Sequence, residues 1–141
     1  MGDRFQIHAS AAAINGRAVM FFGPSGSGKS SAALSLMAHG AALISDDIVA
    51  VTAGARSLQV AAPPGAPARI EARGVGLLAA SLVPGAYPLA LAIDLARAEP
   101  DRLPPERALV HGRVSAPLIL AHGHPNLAPM VLQFLSHGRA T

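Results

Sequence analysis

At 141 residues the chain is long enough for one domain with a core of its own, without metal or disulfide staples. It has no cysteine, which excludes disulfides, thiolate metal sites and a cysteine nucleophile and fits a cytoplasmic protein. The net charge is +3, but ten of the eleven basic residues are Arg scattered along the chain, with four Phe and one Tyr and no basic run. No nucleic-acid partner is therefore expected.

From the amino end, Phe5–Ala13 alternates weakly and reads as a strand. Asn15-Gly16 is a tight-turn signal that pairs it with the apolar run Ala18–Phe22 as a hairpin. A Gly-rich loop follows, then a helical pattern over Ser31–His39 that Gly40 stops. Ala41–Ile44 reads as a return strand ending in Ser45-Asp46-Asp47, and Ile48–Val51 and Ser57–Ala61 as further strands around Gly54. Pro63–Pro67 is a loop, and Ile70–Gly76 is acidic and Gly-rich. Val75–Ile93 has no formal charge over nineteen residues, but Pro84, Gly85 and Pro88 interrupt it. Two buried strands around a Pro-Gly turn are expected there, not a membrane span, and Pro88–Leu95 reads as continuously apolar. Glu99–Arg107 is a charged loop, and Ala108–His111 and Pro117–Ala121 are strands. A last helix starts near Leu127, capped by Asn126 and ended by Gly138, with Pro129 harmless in its first turn. No secretory signal is visible. With 51% hydrophobic and 13% charged residues, part of the exterior is expected to lie against other subunits of a homo-oligomer.

The chemistry starts at Gly23-Pro24-Ser25-Gly26-Ser27-Gly28-Lys29-Ser30, a complete G-x-x-x-x-G-K-[ST] between a strand and a helix. The glycines let consecutive N–H groups turn inward around a polyphosphate. Lys29 reaches the terminal phosphates, the Ser30 hydroxyl can hold Mg²⁺, and the helix opening at Ser31 aims its positive end at the anion. Asp46 and Asp47 lie seventeen and eighteen residues after Lys29. A short βαβ unit would bring them to the carboxyl end of a neighbouring strand, beside the phosphates, as a base or a magnesium contact. An Asp-Asp pair at a strand end also serves as a plain turn, and the residues alone leave both readings open. Glu71 before Gly-x-Gly is a metal ligand or a solvated loop acid. Alone, His8 reads as a core histidine and Arg102 as a surface charge. His122 and His124 lack the third ligand of a metal site.

Four segments change these odds. Ile7-His8-Ala9-Ser10, the Gly-rich loop, Gly40–Asp47 and Ile70-Glu71-Ala72-Arg73-Gly74-Val75-Gly76 together resemble the catalytic domain of the HPr kinase/phosphorylase family in a short form. Asp101-Arg102-Leu103 and Val114–Pro117 fall at family-like spacing. The resemblance implies one α/β P-loop kinase domain over residues 1–141, with a mixed, strongly antiparallel sheet, a P-loop helix and a C-terminal helix. It implies ATP and Mg²⁺ as cofactors, an HPr-like phosphocarrier protein as partner and a homo-oligomer, hexameric in the family. Residue by residue, it implies that Gly23, Pro24, Ser25, Gly26, Ser27, Gly28, Lys29, Ser30 and Ser31 bind the nucleotide. Ser30 and Glu71 would hold the metal, one of Asp46 and Asp47 would be the base, and His8 and Arg102 would complete the site with Lys29. Gly123-His124-Pro125-Asn126 stands where longer members carry a Gly-Arg-Asn-like segment linked to dephosphorylation, so the reverse activity is expected to be weak.

Two other classes remain. A small-molecule P-loop kinase would need a lid with arginines, for which Glu99–Arg107 is short. A nucleotide sensor would lose the acids, whereas Asp46, Asp47 and Glu71 are all present.

Overall fold

Three partner strands converge on one long strand, and that convergence shapes the domain. The computed structural model describes residues 4–140. β1 (Arg4–Ile14) and β2 (Arg17–Phe22) form the expected hairpin. Asn15 (φ 51°) and Gly16 (φ 75°) both sit at positive φ, as a two-residue turn matched to strand twist requires. α1 (Lys29–Met37) returns the chain to β3 (Ala42–Ser45), which continues after two residues as β4 (Ile48–Ala53). β2 takes one edge of β1 over residues 9–14, while β3 and β4 share the other.

The remaining strands close this layer. β5 (Leu58–Ala61) follows β4, and β6 (Arg69–Ala72) with β7 (Gly76–Ala79) makes a separate hairpin. β8 (Tyr87–Asp94) pairs with β5 on one side and lies parallel to β2 and β10 (Val114–Leu120). β9 (Ala108–His111) edges the sheet, and α2 (Leu127–His137) ends the fold. Because β2 also pairs with β8, the path β1–β4–β5–β8–β2 returns to β1 as a closed ring of five strands. The sheet is mixed and mostly antiparallel and the class is α/β, with two helices among the described residues, as expected.

Period-2 alternation divides the apolar residues into two clusters. Ala9, Ala11, Met20, Val49, Val51 and Val60 belong to one. Val19, Phe21, Leu91 and Ile93 belong to the other, with Ala33 and Leu36 of α1 and Val131 of α2. Ala9, Ala11, Ala12 and Ala13 of β1 are all buried, and such short side chains let the layers on both sides of this crowded strand approach closely.

Several local expectations are corrected. β2 and β3 are parallel but not neighbours, because β1 runs antiparallel between them. Their carboxyl ends still emerge together: Phe22 pairs with Ala9 and Ser45 with Ala11. Of the two strands expected within Val75–Ile93, only β8 is buried. β7 is exposed along its whole length, and among the described residues it pairs with β6 alone. The apolar run Pro88–Leu95 contains a buried acid, Asp94. β10 starts at Val114, earlier than expected, because Gly112 (φ 63°) turns it back on β9. Asn126 precedes α2 without a side-chain cap, whereas Gly138 (φ 66°) closes the helix by donating its N–H to Phe134 O. Among the described residues no helix is long and apolar enough to cross a membrane.

Met20 is fully buried on a strand belonging to the ring. Met20→Ala should cost about 2–5 kcal/mol of unfolding free energy, measured by urea denaturation. A loss within about 0.5 kcal/mol, the size of a surface substitution, would show that the ring does not depend on this packing.

Candidate active site

The Gly23–Ser30 loop leaves β2 and enters α1 through three residues that need glycine. Gly23, Gly26 and Gly28 have φ of 151°, 82° and 98°. A Cβ on Gly23 would also lie 2.8 Å from Ser27 Oγ. Gly28 puts no side-chain cap on α1, and no acid lies in the first turn, so the N-terminal amides and the helix dipole remain available to an anion. Lys29 is almost wholly buried, its Nζ donating to Gly23 O (2.9 Å) and Pro24 O (3.1 Å). Its charge is thus fixed against the loop. A cavity of about 300 Å³ is lined by Ser25, Gly26, Gly28, Lys29, Ser30 and Ser31, closed by Asp47, Glu71 and Arg73.

The two aspartates do different things. Asp46 is tied to three elements. Its Oδ1 accepts from Ser30 Oγ of α1 (2.7 Å) and from Ser10 Oγ of β1 (2.6 Å), and its Oδ2 accepts from the Glu71 amide of β6 (3.0 Å). Asp47 carries an exposed carboxylate whose Oδ1 is 4.0 Å from His8 Nδ1. Ile48 N–H donates to Asp46 O (2.9 Å) across Asp47, whose φ is 73°. This is a three-residue γ-turn, a strained conformation for a residue with a Cβ. Such strain persists where surrounding bonds over-determine it, and it collects at functional sites.

Asp46 and Asp47 also line a second cleft, of about 550 Å³, with Ser30, Glu71, Arg69, Leu77 and the Pro63–Pro67 loop. Asp47 and Glu71 therefore stand between the loop-side cavity and an open cleft, while Asp46 lines only the cleft. Glu71 is exposed and faces both. Of the residues expected at the site, the structure gathers the loop, Ser30, Ser31, Asp46, Asp47 and Glu71, and sets His8 against Asp47. Arg102 lines neither cavity. It is exposed on the loop after β8, whose ends are tied where Arg107 donates through Nε and Nη2 to the Glu99 carboxylate (both 2.9 Å).

Three residues escaped the sequence reading. Ser10 was one letter in a small-residue strand. Arg73 lies over the loop, its Nη2 3.6 Å from where a Cβ on Gly26 would be. Asp94 ends β8 next to β2, and its carboxylate accepts from Ala96 N (2.8 Å) and Arg97 Nε (2.7 Å), which fixes the chain as it passes the loop. A lone acid closing an apolar run was the signal available for it.

The donor set suits magnesium. Ser30 and Glu71 offer hard oxygens, and Mg²⁺ takes one or two carboxylates with water and phosphate oxygens, not an all-protein cage. No group of three or more His, Cys, Asp or Glu able to hold a metal exists among the described residues. Ser27 Oγ is buried without a hydrogen-bond partner among the described residues, a polar atom left over in the loop wall.

Comparison with known proteins points one way. Residues 1–97 match the family described as the HPr Serine kinase C-terminal domain. A stretch of 75 residues is 39% identical to the HPr kinase/phosphorylase of Mycoplasmopsis pulmonis (strain UAB CTIP), covering 53% of this chain and 24% of that protein. The match thus spans about a quarter of the relative's length. The Hpr(Ser) kinase/phosphatase structure from Coxiella burnetii superposes with a TM-score of 0.74 over 94% of each chain at 22% identity, a likeness of fold.

The Arg107 guanidinium holds the Glu99 carboxyl below the usual carboxylate range. A carboxylate whose pKa is depressed by folding contributes stability above its unfolded pKa, and the contribution disappears as pH falls through the folded value. Arg107→Gln should therefore lower the melting temperature at neutral pH, with the difference from the parent closing by about pH 2, below the ordinary carboxylate range. Calorimetry across that range reads this directly, and an equal gap at both ends would mean the pair acts through packing alone.

Proposed function

We infer from one premise (the chain belongs to the HPr serine kinase C-terminal domain family) that it transfers the γ-phosphoryl group of ATP to a serine of an HPr-like phosphocarrier protein. The observation that carries this reading is the division between two adjacent carboxylates. Asp46 is bonded to Ser30 of the Gly-rich loop, while Asp47, exposed and set 4.0 Å from His8, lines both the loop-side cavity and the open cleft. Phosphoryl transfer asks for both: fixed charge around the phosphates, and an acceptor-side base.

On this reading the Gly23–Ser31 backbone and Lys29 bind the phosphates. Ser30 and Glu71 would hold Mg²⁺, with Asp46 fixing the Ser30 hydroxyl. The ion would supply neutralisation of charge shared by the β- and γ-phosphates. Asp47 takes the proton of the seryl hydroxyl as that oxygen gains the phosphoryl group and ADP leaves. His8 steadies Asp47 from the next strand. The support for Arg102 is the family resemblance, together with the origin of its loop at Asp94, at the phosphate-loop end of the sheet. Exposed Leu77 and Arg69 on the cleft wall suit a macromolecular acceptor better than a small polar one, which would leave that rim in water. The domain assignment over 1–141, the cytoplasmic setting and a homo-oligomer belong to the same proposal. So does weak reversal, since His124 stands beyond β10 in place of the family's arginine.

Incubation with labelled ATP and candidate HPr-like carriers, followed by location of any phosphoserine, tests the reading; no transfer to any carrier would overturn it. Asp47→Asn should lower kcat by about 10²–10⁴-fold while nucleotide still binds. Lys29→Met should abolish nucleotide binding, measured by calorimetry, with the fold retained by circular dichroism. If Asp47→Asn turns over at the parent rate, the base lies elsewhere.

A further inference from the structure

Ser10 is fully buried on a strand otherwise built of Ala and Ile at this point, and no role attaches to it so far. Its place in the ladder is unusual. On one edge of β1, Ser45 pairs with Ala11 and Ile48 with His8. Carried across the gap, the same register sets Asp46 opposite Ser10 and Asp47 opposite Ala9. Regular pairing stops there because Asp47 turns to positive φ. Ala9 N–H still donates to Asp47 O (3.1 Å), and the Ser10 hydroxyl serves the rest. It donates to Asp46 Oδ1 (2.6 Å) and lies 3.4 Å from the Asp47 amide, which donates to it.

We propose that Ser10 is a positioning residue for phosphoryl transfer: its one hydroxyl fixes the Asp46 carboxylate and the Asp47 backbone together, and so sets where the Asp47 carboxylate stands relative to the phosphate loop. This rests on the functional reading above. A hydroxyl both donates and accepts, and here each capacity serves a different aspartate. An alanine at position 10 would keep the packing and remove both bonds. Asp46 would still have Ser30 and the Glu71 amide, so the phosphate side would survive. The γ-turn at Asp47 would lose its side-chain support and relax, and a base displaced by a fraction of an ångström loses rate steeply.

The test compares Ser10→Ala, Ser10→Cys, which keeps the volume but donates weakly, and Ser10→Thr, which restores the hydroxyl. The expected result for Ala and Cys is a fall in kcat of roughly tenfold, the size of one hydrogen bond to a charged group. KM for ATP and calorimetric affinity for Mg²⁺ with a non-hydrolysable ATP analogue should stay at parent values. Hydrogen exchange at the Asp47 amide should speed up in both variants, and Thr should recover part of the rate. If Ala lowers only the melting temperature and folded protein turns over at the parent kcat, Ser10 is structural and the proposal falls. It falls equally if analogue binding is lost with turnover, because the damage then lies on the phosphate side. Should the parent phosphorylate no carrier, the functional reading fails by itself, while exchange at Asp47 and analogue binding still report whether Ser10 holds the turn.

Discussion

The Asp46 carboxylate is the point at which β1, α1 and β6 are fastened together. It accepts from Ser10, Ser30 and the Glu71 amide, so a partly buried charge is met by three donors from three distant parts of the sequence. An ionised carboxylate away from bulk water is costly unless it is satisfied in this way. The arrangement has a geometric consequence. The loop that would hold phosphate, the hairpin that carries Glu71 and the strand that carries His8 all take their relative positions from one side chain.

Asp46 is bonded inward, and Asp47 stays exposed. Two adjacent residues on a regular strand would point to opposite faces. The γ-turn breaks that alternation and holds the second carboxylate exposed, lining both cavities and near His8. The strain is local, and the bonds from Ala9, Ser10 and Ile48 offset it. The closed five-strand ring gives those bonds a rigid base, because a strand paired on both edges has little freedom to follow a relaxing turn.

The Gly-rich loop and its helix were legible because their residue types answer to backbone demands. Three glycines at positive φ, a lysine at the helix start and an apolar strand before them admit few alternatives. The Asn15-Gly16 hairpin was legible for the same reason. By contrast, Val75–Ile93 was misread as two buried strands. Apolar letters cannot say whether a strand has a second partner, and among the described residues β7 has only β6. Asp94 was absorbed into an apolar run because one acid barely alters such a pattern, although burial gives it a defined anchoring place.

The sequence by itself determined the groups on offer: a Gly-rich loop with a lysine at its end, an adjacent pair of carboxylates, a third acid before a Gly-x-Gly turn and the local turns between strands. Those follow from spacing and from the φ/ψ limits of single residues, which are local properties. Only the tertiary structure decided which acid is bonded into the fold and which stays exposed. That outcome depends on Ser10, thirty-six residues away from Asp46, and on the amide of Glu71, twenty-five residues away. The strand order that places β1 between β2 and β3 is likewise a result of closing the ring through β8. Hydrogen bonds between strands far apart in sequence leave no periodic trace in either segment, so their outcome is fixed only when the chain has folded.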